Sequence, residues 1–154
     1  MSHVVDIAVP IDDLLALKKA CERCGLEFRE GQTTYAWWGR SEGDYPLPEG
    51  YTSADLGHCA HAIGIPGEVP QSGSRGNWEI GVCERRDGQP GYTLMFDFYG
   101  GPGGRLKAKA GGEECQELMQ LYHVEKAKHA AINNGYSNLR EERTKSGRIK
   151  LYAS

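Results

Sequence analysis

The chain has 154 residues, with 18 Lys and Arg against 21 Asp and Glu for a formal net charge of -3, and 39% of its residues are apolar. That length suits one domain with a real core, and a composition near the globular average excludes wholesale disorder. No apolar run approaches the roughly 18 residues of a membrane span. Residues 1–6 lack the basic and apolar segments of a secretory signal, so the cytoplasm is the expected compartment. The five Cys, an odd number, read as reduced thiols rather than a disulfide framework. Charge is uneven: residues 1–104 carry -7 and residues 105–154 carry +4. A mildly basic C-terminal third suits either a solvated surface or an anion-facing one.

In chain order, Val5, Ile7 and Val9 alternate with polar or small residues as in a half-buried strand, and Pro10 ends it. Asp12 or Asp13 then caps a helix whose Leu14, Leu17, Cys21 and Cys24 share a face, with Gly25 as its stop. Leu26 and Phe28 begin a second strand, and the β-branched and aromatic run 33–38 predicts a third. Residues 39–53, with two Pro and three Gly, read as a long loop, a candidate lid or contact surface. Residues 54–65 predict a strand and 66–76 another turn-rich connection. Trp78, Ile80 and Val82, then Tyr92, Leu94, Phe96 and Phe98, alternate on either side of a turn at 87–91 and predict a β-hairpin. The glycine cluster 100–104 reads as a loop before a helix over 113–133. Residues 136–142 and 148–152 form a last strand pair, with Ile149 and Leu151 on its core side. The order β-α-β-β-β-β-β-α-β-β predicts a single α+β domain over 1–154, mainly an antiparallel sheet with two helices on one face.

A resemblance spreads over nearly the whole chain. Met1-Ser2-His3, the helix 14–20 leading to Gly25-Leu26, Ser53-Ala54-Asp55-Leu56, Phe96-Asp97-Phe98-Tyr99-Gly100 and Asn134-Gly135-Tyr136 carry it. In these features the sequence resembles the Ycf35-like proteins, the domain family DUF1257 known from plastids, cyanobacteria, bacteria and bacteriophages. It departs from them at 43–51, at 66–76 and in the glycines of 100–104. The resemblance implies one α+β domain and assigns no activity.

Motifs with defined chemistry are sparse. Cys21-Glu22-Arg23-Cys24 with His58-Cys59-Ala60-His61 has the residue types of a zinc site. Both N-terminal cysteines lie on the apolar stripe of a helix, however, where a thiol behaves as a small hydrophobe. No nucleophile elbow, zinc-protease helix or phosphate loop is present, and a Cys59 or Cys83 nucleophile with His123 or His129 depends on a fold that brings them together. Tyr99, Gly100, Gly101, Gly103 and Gly104 follow a strong strand, and successive glycines let backbone N–H groups converge on an anion, with Arg105, Lys107 and Lys109 behind them. Trp37 and Trp38 point to opposite faces of their segment, so one indole lies away from the core, beside Arg40.

The expected function is a non-catalytic binding protein for a small anionic ligand, nucleotide-derived in the simplest case, held by Trp37, Trp38, Arg40, Tyr99, the glycines, Arg105 and Lys107. In a phage such a protein would act as a sponge that sequesters a host defence signal. The alternative is a protein–protein adaptor or assembly subunit without a small ligand. Neither needs a cofactor or a metal, and a homo-oligomer suits both. Nucleic acid is disfavoured by the negative net charge and the lack of a recognition motif.

Overall fold

The computed structural model describes residues 5–6, 10–39, 47 and 49–154. Ile7 and Val9 of the expected first strand, Met1-Ser2-His3, Arg40 and most of the 39–53 loop lie outside these. The fold is mixed α+β, as the sequence order implies. A five-stranded sheet runs in the order β1-β5-β4-β3-β2, built from β1 (Val5–Asp6), β2 (Glu27–Arg29), β3 (His61–Gly64), β4 (Ile80–Glu84) and β5 (Tyr92–Phe96). A separate two-stranded sheet joins β6 (Leu139–Arg143) to β7 (Ile149–Ala153). Every pairing is antiparallel.

Helix α1 (Leu14–Arg23) starts where Asp13 Oδ1 accepts the Ala16 N–H at 2.9 Å. It stops at Gly25, whose φ of +71° is the left-handed region that favours glycine. Its buried Leu17, Ala20 and Cys21 meet Ile63, Ile80, Val82, Leu94 and Phe96, the residues that alternate onto one face of the sheet. Helix α3 (Gln116–Asn133) adds Leu118, Leu121 and Tyr122 to the same core. The Tyr122 hydroxyl accepts the N–H groups of Asp12 and Asp13 at 3.0 and 3.3 Å, tying α3 to the entry of α1.

Three expectations are corrected. The glycine cluster is not a loop: it opens a further helix, α2 (Gly100–Ala110), so among the described residues three α-helices rather than two accompany the sheets. Pro102 stands in the first turn, where no N–H is needed. Pro102, Gly103, Leu106 and Ala110 form the buried stripe, and a Cβ on Gly103 would collide with the backbone of Phe98. Residues 33–38 form no strand and contribute one bridge, Thr34 to His58. The backbone of this segment bonds Gly57, Cys59 and Glu79, and on the second face of the sheet Tyr35 joins Leu56, Ala62, Cys83 and Met95. Gly81 is required beneath it, because a Cβ there would run into the Tyr35 ring. The strand expected over 54–65 is confined to β3, preceded by one 3₁₀ turn at Ser53–Asp55.

Candidate functional site

Tyr99 is the N-cap of α2 and is exposed, and Gly101 and Gly104 have open space around them. The positive end of the helix already faces an internal carboxylate, since buried Asp97 accepts the Tyr99 N–H at 3.1 Å. Arg105 turns back along the protein: Nη2 donates to Gly76 O at 3.3 Å and Asn77 Oδ1 at 3.1 Å, and Nε lies 3.5 Å from Glu68 Oε2. The other oxygen of Glu68 is buried without a hydrogen-bond partner, so the Arg105 guanidinium balances a poorly solvated carboxylate. Lys107 pairs with Glu113 at 3.7 Å.

The two expected indoles separate. Trp38 packs toward the helical core, edge-on to Trp78 at 6.4 Å, while Trp37 packs on the second face with Tyr35 and Leu56. The alternation expected of a strand thus survives in a segment that is not one. The 70–78 connection joins this segment to Arg105: the Trp37 N–H donates to Ser72 Oγ, the Gly73 N–H donates to Trp37 O, and Trp78 Nε1 donates to Gly73 O. Trp37, Trp38 and Arg105 therefore flank one loop, while Arg40 lies outside the described residues.

A cleft that sequence reading did not assemble lies on the second face. It has a volume of about 330 Å³ and is lined by Tyr51, His58, Cys59, Cys83, Arg85 and Arg86 among others. Arg86 stacks on the Tyr51 ring, 4.4 Å from its centroid, and pairs with Asp55 at 3.0 Å. Asp55 is itself fixed by the Thr52 N–H at 2.8 Å. The Tyr51 hydroxyl donates to Glu84 O. Burial pushes the Cys59 and Cys83 thiols up to about 12, so both remain protonated and weakly nucleophilic near neutrality.

The metal and nucleophile sets that the sequence offers as candidates are not assembled. Cys21 is in the core and Cys24 half-buried beside it, whereas His61 accepts the Gly31 N–H and packs between the rings of Phe28 and Tyr92. Among the described residues no three His, Cys, Asp or Glu side chains come close enough to hold a metal ion. His129 bonds Asp13 at 2.8 Å on the helical side, while Cys83 lies in the cluster on the opposite face of the sheet. Nor is any described helix long and apolar enough to cross a membrane.

The β6–β7 hairpin is the remaining surface. Gln120 of α3 anchors it, accepting the Ile149 N–H at 3.1 Å and donating to Gly147 O at 3.1 Å. Glu141 joins Arg23 of α1, at 2.8 Å, to Lys128 of α3, and Arg143 pairs with Glu117 at 2.6 Å. On the solvent side Arg140 stacks over Tyr152 at 4.4 Å and pairs with Glu142 at 3.2 Å. Tyr152 of β7 is exposed, and so are Ile132 and Tyr136 where the end of α3 leads into this hairpin. The sequence signal that could have drawn attention here is the Arg-Glu-Glu-Arg run on a strand with few apolar residues.

Comparisons with protein-family models, curated proteins and solved structures find no match for this chain.

Proposed function

We propose that this protein is an adaptor or assembly subunit that binds another protein through the β6–β7 hairpin. One observation carries the reading: a two-stranded sheet stands apart from the main sheet, held to the body by side chains of α1 and α3, with exposed apolar groups on β7 and where the end of α3 leads into the hairpin. A lone hairpin is marginal in water, and exposed aromatics beside an unpaired strand edge are the ordinary means of strand addition. The test is affinity purification from the natural host with the wild type and with Tyr152→Ala and Ile132→Ser. Both positions are exposed, so each variant keeps its stability within about 0.5 kcal/mol and loses a protein that the wild type retains. Unchanged retention by both variants refutes the reading.

A second reading, a small anionic ligand of nucleotide type, draws support from the cleft bordered by Arg85, Arg86, His58 and Tyr51. Arg105 with the first turn of α2 is the competing location for the same ligand. A thermal-shift panel of nucleotides separates this reading from the first, because a ligand at a hundredfold excess over its Kd adds about 2.7 kcal/mol of stability. Arg86→Ala and Arg105→Ala then report which location is used.

A further inference from the structure

We propose that the β6 edge pairs with β6 of a second copy of this chain, antiparallel across a twofold axis, to make a four-stranded sheet. The inference rests on the hairpin reading above and names its partner.

The backbone defines which edge is open. Asn138 and Ser154 exchange both backbone bonds, at 3.0 and 2.9 Å, and the Thr144 N–H donates to Arg148 O at 2.8 Å. In an antiparallel ladder these bonded pairs alternate with non-bonded ones. Arg140 and Glu142 are therefore bonded to Tyr152 and Lys150, whereas Leu139, Glu141 and Arg143 direct their N–H and C=O groups away from β7. No described strand lies on that side of β6. The opposite edge differs, because Gln120 already takes the Ile149 N–H and holds β7 against α3.

The side chains select a register. With Glu141 on the twofold axis, Leu139 lies opposite Arg143 of the second copy, so the outward backbone groups meet in bonded pairs. In that register Arg140 lies opposite Glu142 and Glu142 opposite Arg140, giving two cross-strand ion pairs on the exposed face. The side chains of Arg140 and Glu142 are 66% and 52% exposed, and the pairs across the axis would replace the 3.2 Å contact that the two make within the strand. Sliding by two residues in either direction keeps the backbone bonds but sets Arg140 against Arg140 or Glu142 against Glu142. Like charges directly opposite are unfavourable, and of these three registers the one centred on Glu141 alone avoids them on the exposed face. At the axis the two Glu141 carboxylates face each other, each already bracketed by Arg23 and Lys128. A charged edge ordinarily discourages indiscriminate pairing. Here the exposed-face charges of Arg140 and Glu142 are complementary to their own antiparallel image, as an isologous interface requires.

Sedimentation velocity of the full chain over a concentration series, with Arg140→Glu, Glu142→Arg and the double exchange, tests this. Each single substitution acts twice across the axis and should weaken dimerisation by about tenfold or more, whereas the double exchange should restore most of it. Amide hydrogen exchange supplies a second readout: Leu139, Glu141 and Arg143 should be protected in the dimer and exposed in the Arg140→Glu protein. Thermal melts of the same samples show whether each variant is folded, and either single variant suffices. A wild type that stays monomeric at the highest reachable concentration overturns the self-pairing, and so does a dimer indifferent to both single exchanges. Neither result touches the adaptor reading, which falls only when Tyr152→Ala and Ile132→Ser retain every captured protein.

Discussion

Asp13 does two jobs with one carboxylate: Oδ1 caps α1 through Ala16 and Oδ2 holds His129 Nδ1 of α3. Burial works to raise this carboxyl, but the His129 contact and the Ala16 N–H outweigh it and hold it below its ordinary value. A group depressed by folding stabilises above its unfolded pKa of about 3.9 and loses that contribution as pH falls through the folded value. Asp13→Ala should therefore cost about 0.5–2 kcal/mol at neutral pH. In urea titrations at several pH values its deficit should shrink below about pH 4, and a deficit constant down to pH 2 would show that the charge contributes nothing. Phe96, 1% exposed and stacked on Phe98 at 4.3 Å, is a purely apolar counterpart. Phe96→Ala should cost about 3–5 kcal/mol in the same titrations, and a loss below about 1 kcal/mol would mean that the cavity collapses.

At the scale of elements, α2 is a helix that local propensity argues against. Glycine is less favourable than Ala by about 1 kcal/mol in a helix interior, and residues 100–104 hold four glycines and a proline. Tertiary contact decides the matter, because Leu106 and Ala110 are buried and Gly103 lies against the Phe98 backbone. The glycines are thus unequal. Gly104→Ala, in open space and at an ordinary φ, should stabilise the protein by roughly 0.5–1 kcal/mol. Gly103→Ala should destabilise it through the collision with Phe98, and thermal melts of the pair that move in the same direction would refute this account of α2. Such a close approach, made by a helix against the backbone that leads into it from β5, leaves no trace in composition or periodicity. What periodicity does carry came through: the alternation of Ile80, Val82, Leu94 and Phe96 marks the core face of β4 and β5, and the Asp13 cap and Gly25 stop bound α1. Residues 33–38 have the composition and the facing of a strand, yet their backbone makes one bridge, Thr34 to His58, and bonds to Gly57, Cys59 and Glu79 in place of a continuous ladder, a difference of pairing that composition does not carry.

Across the whole molecule, the candidate binding residues are joined by contacts remote in sequence, which is why the candidate site is less legible than the fold. Arg105 was visible as the first cation after the glycines, but not its engagement by Glu68, Gly76 and Asn77. The same connection holds the other end of a buried network. Arg29 of β2 donates to Glu79 at 2.6 Å, to Ile65 O at 3.1 Å and to Glu68 O at 3.0 Å. Glu79, 1% exposed beside β4, also accepts from Gln32 at 2.8 Å and from the Ala36 N–H at 3.1 Å. One ion pair therefore fixes the edge strand, the 33–38 segment, and the connection that reaches α2. Removing the cation alone strands a buried carboxylate, so Arg29→Met should cost about 3–5 kcal/mol. Adding Glu79→Gln removes the stranded charge while its amide oxygen can still accept from Ala36, so the double variant should be more stable than Arg29→Met alone. The coupling expected for such a pair is about 0.5–3 kcal/mol. Urea denaturation of the wild type, both single variants and the double variant measures it. If the two losses simply add, Glu79 is held by its backbone and Gln32 contacts, and the salt bridge does not join these parts of the fold.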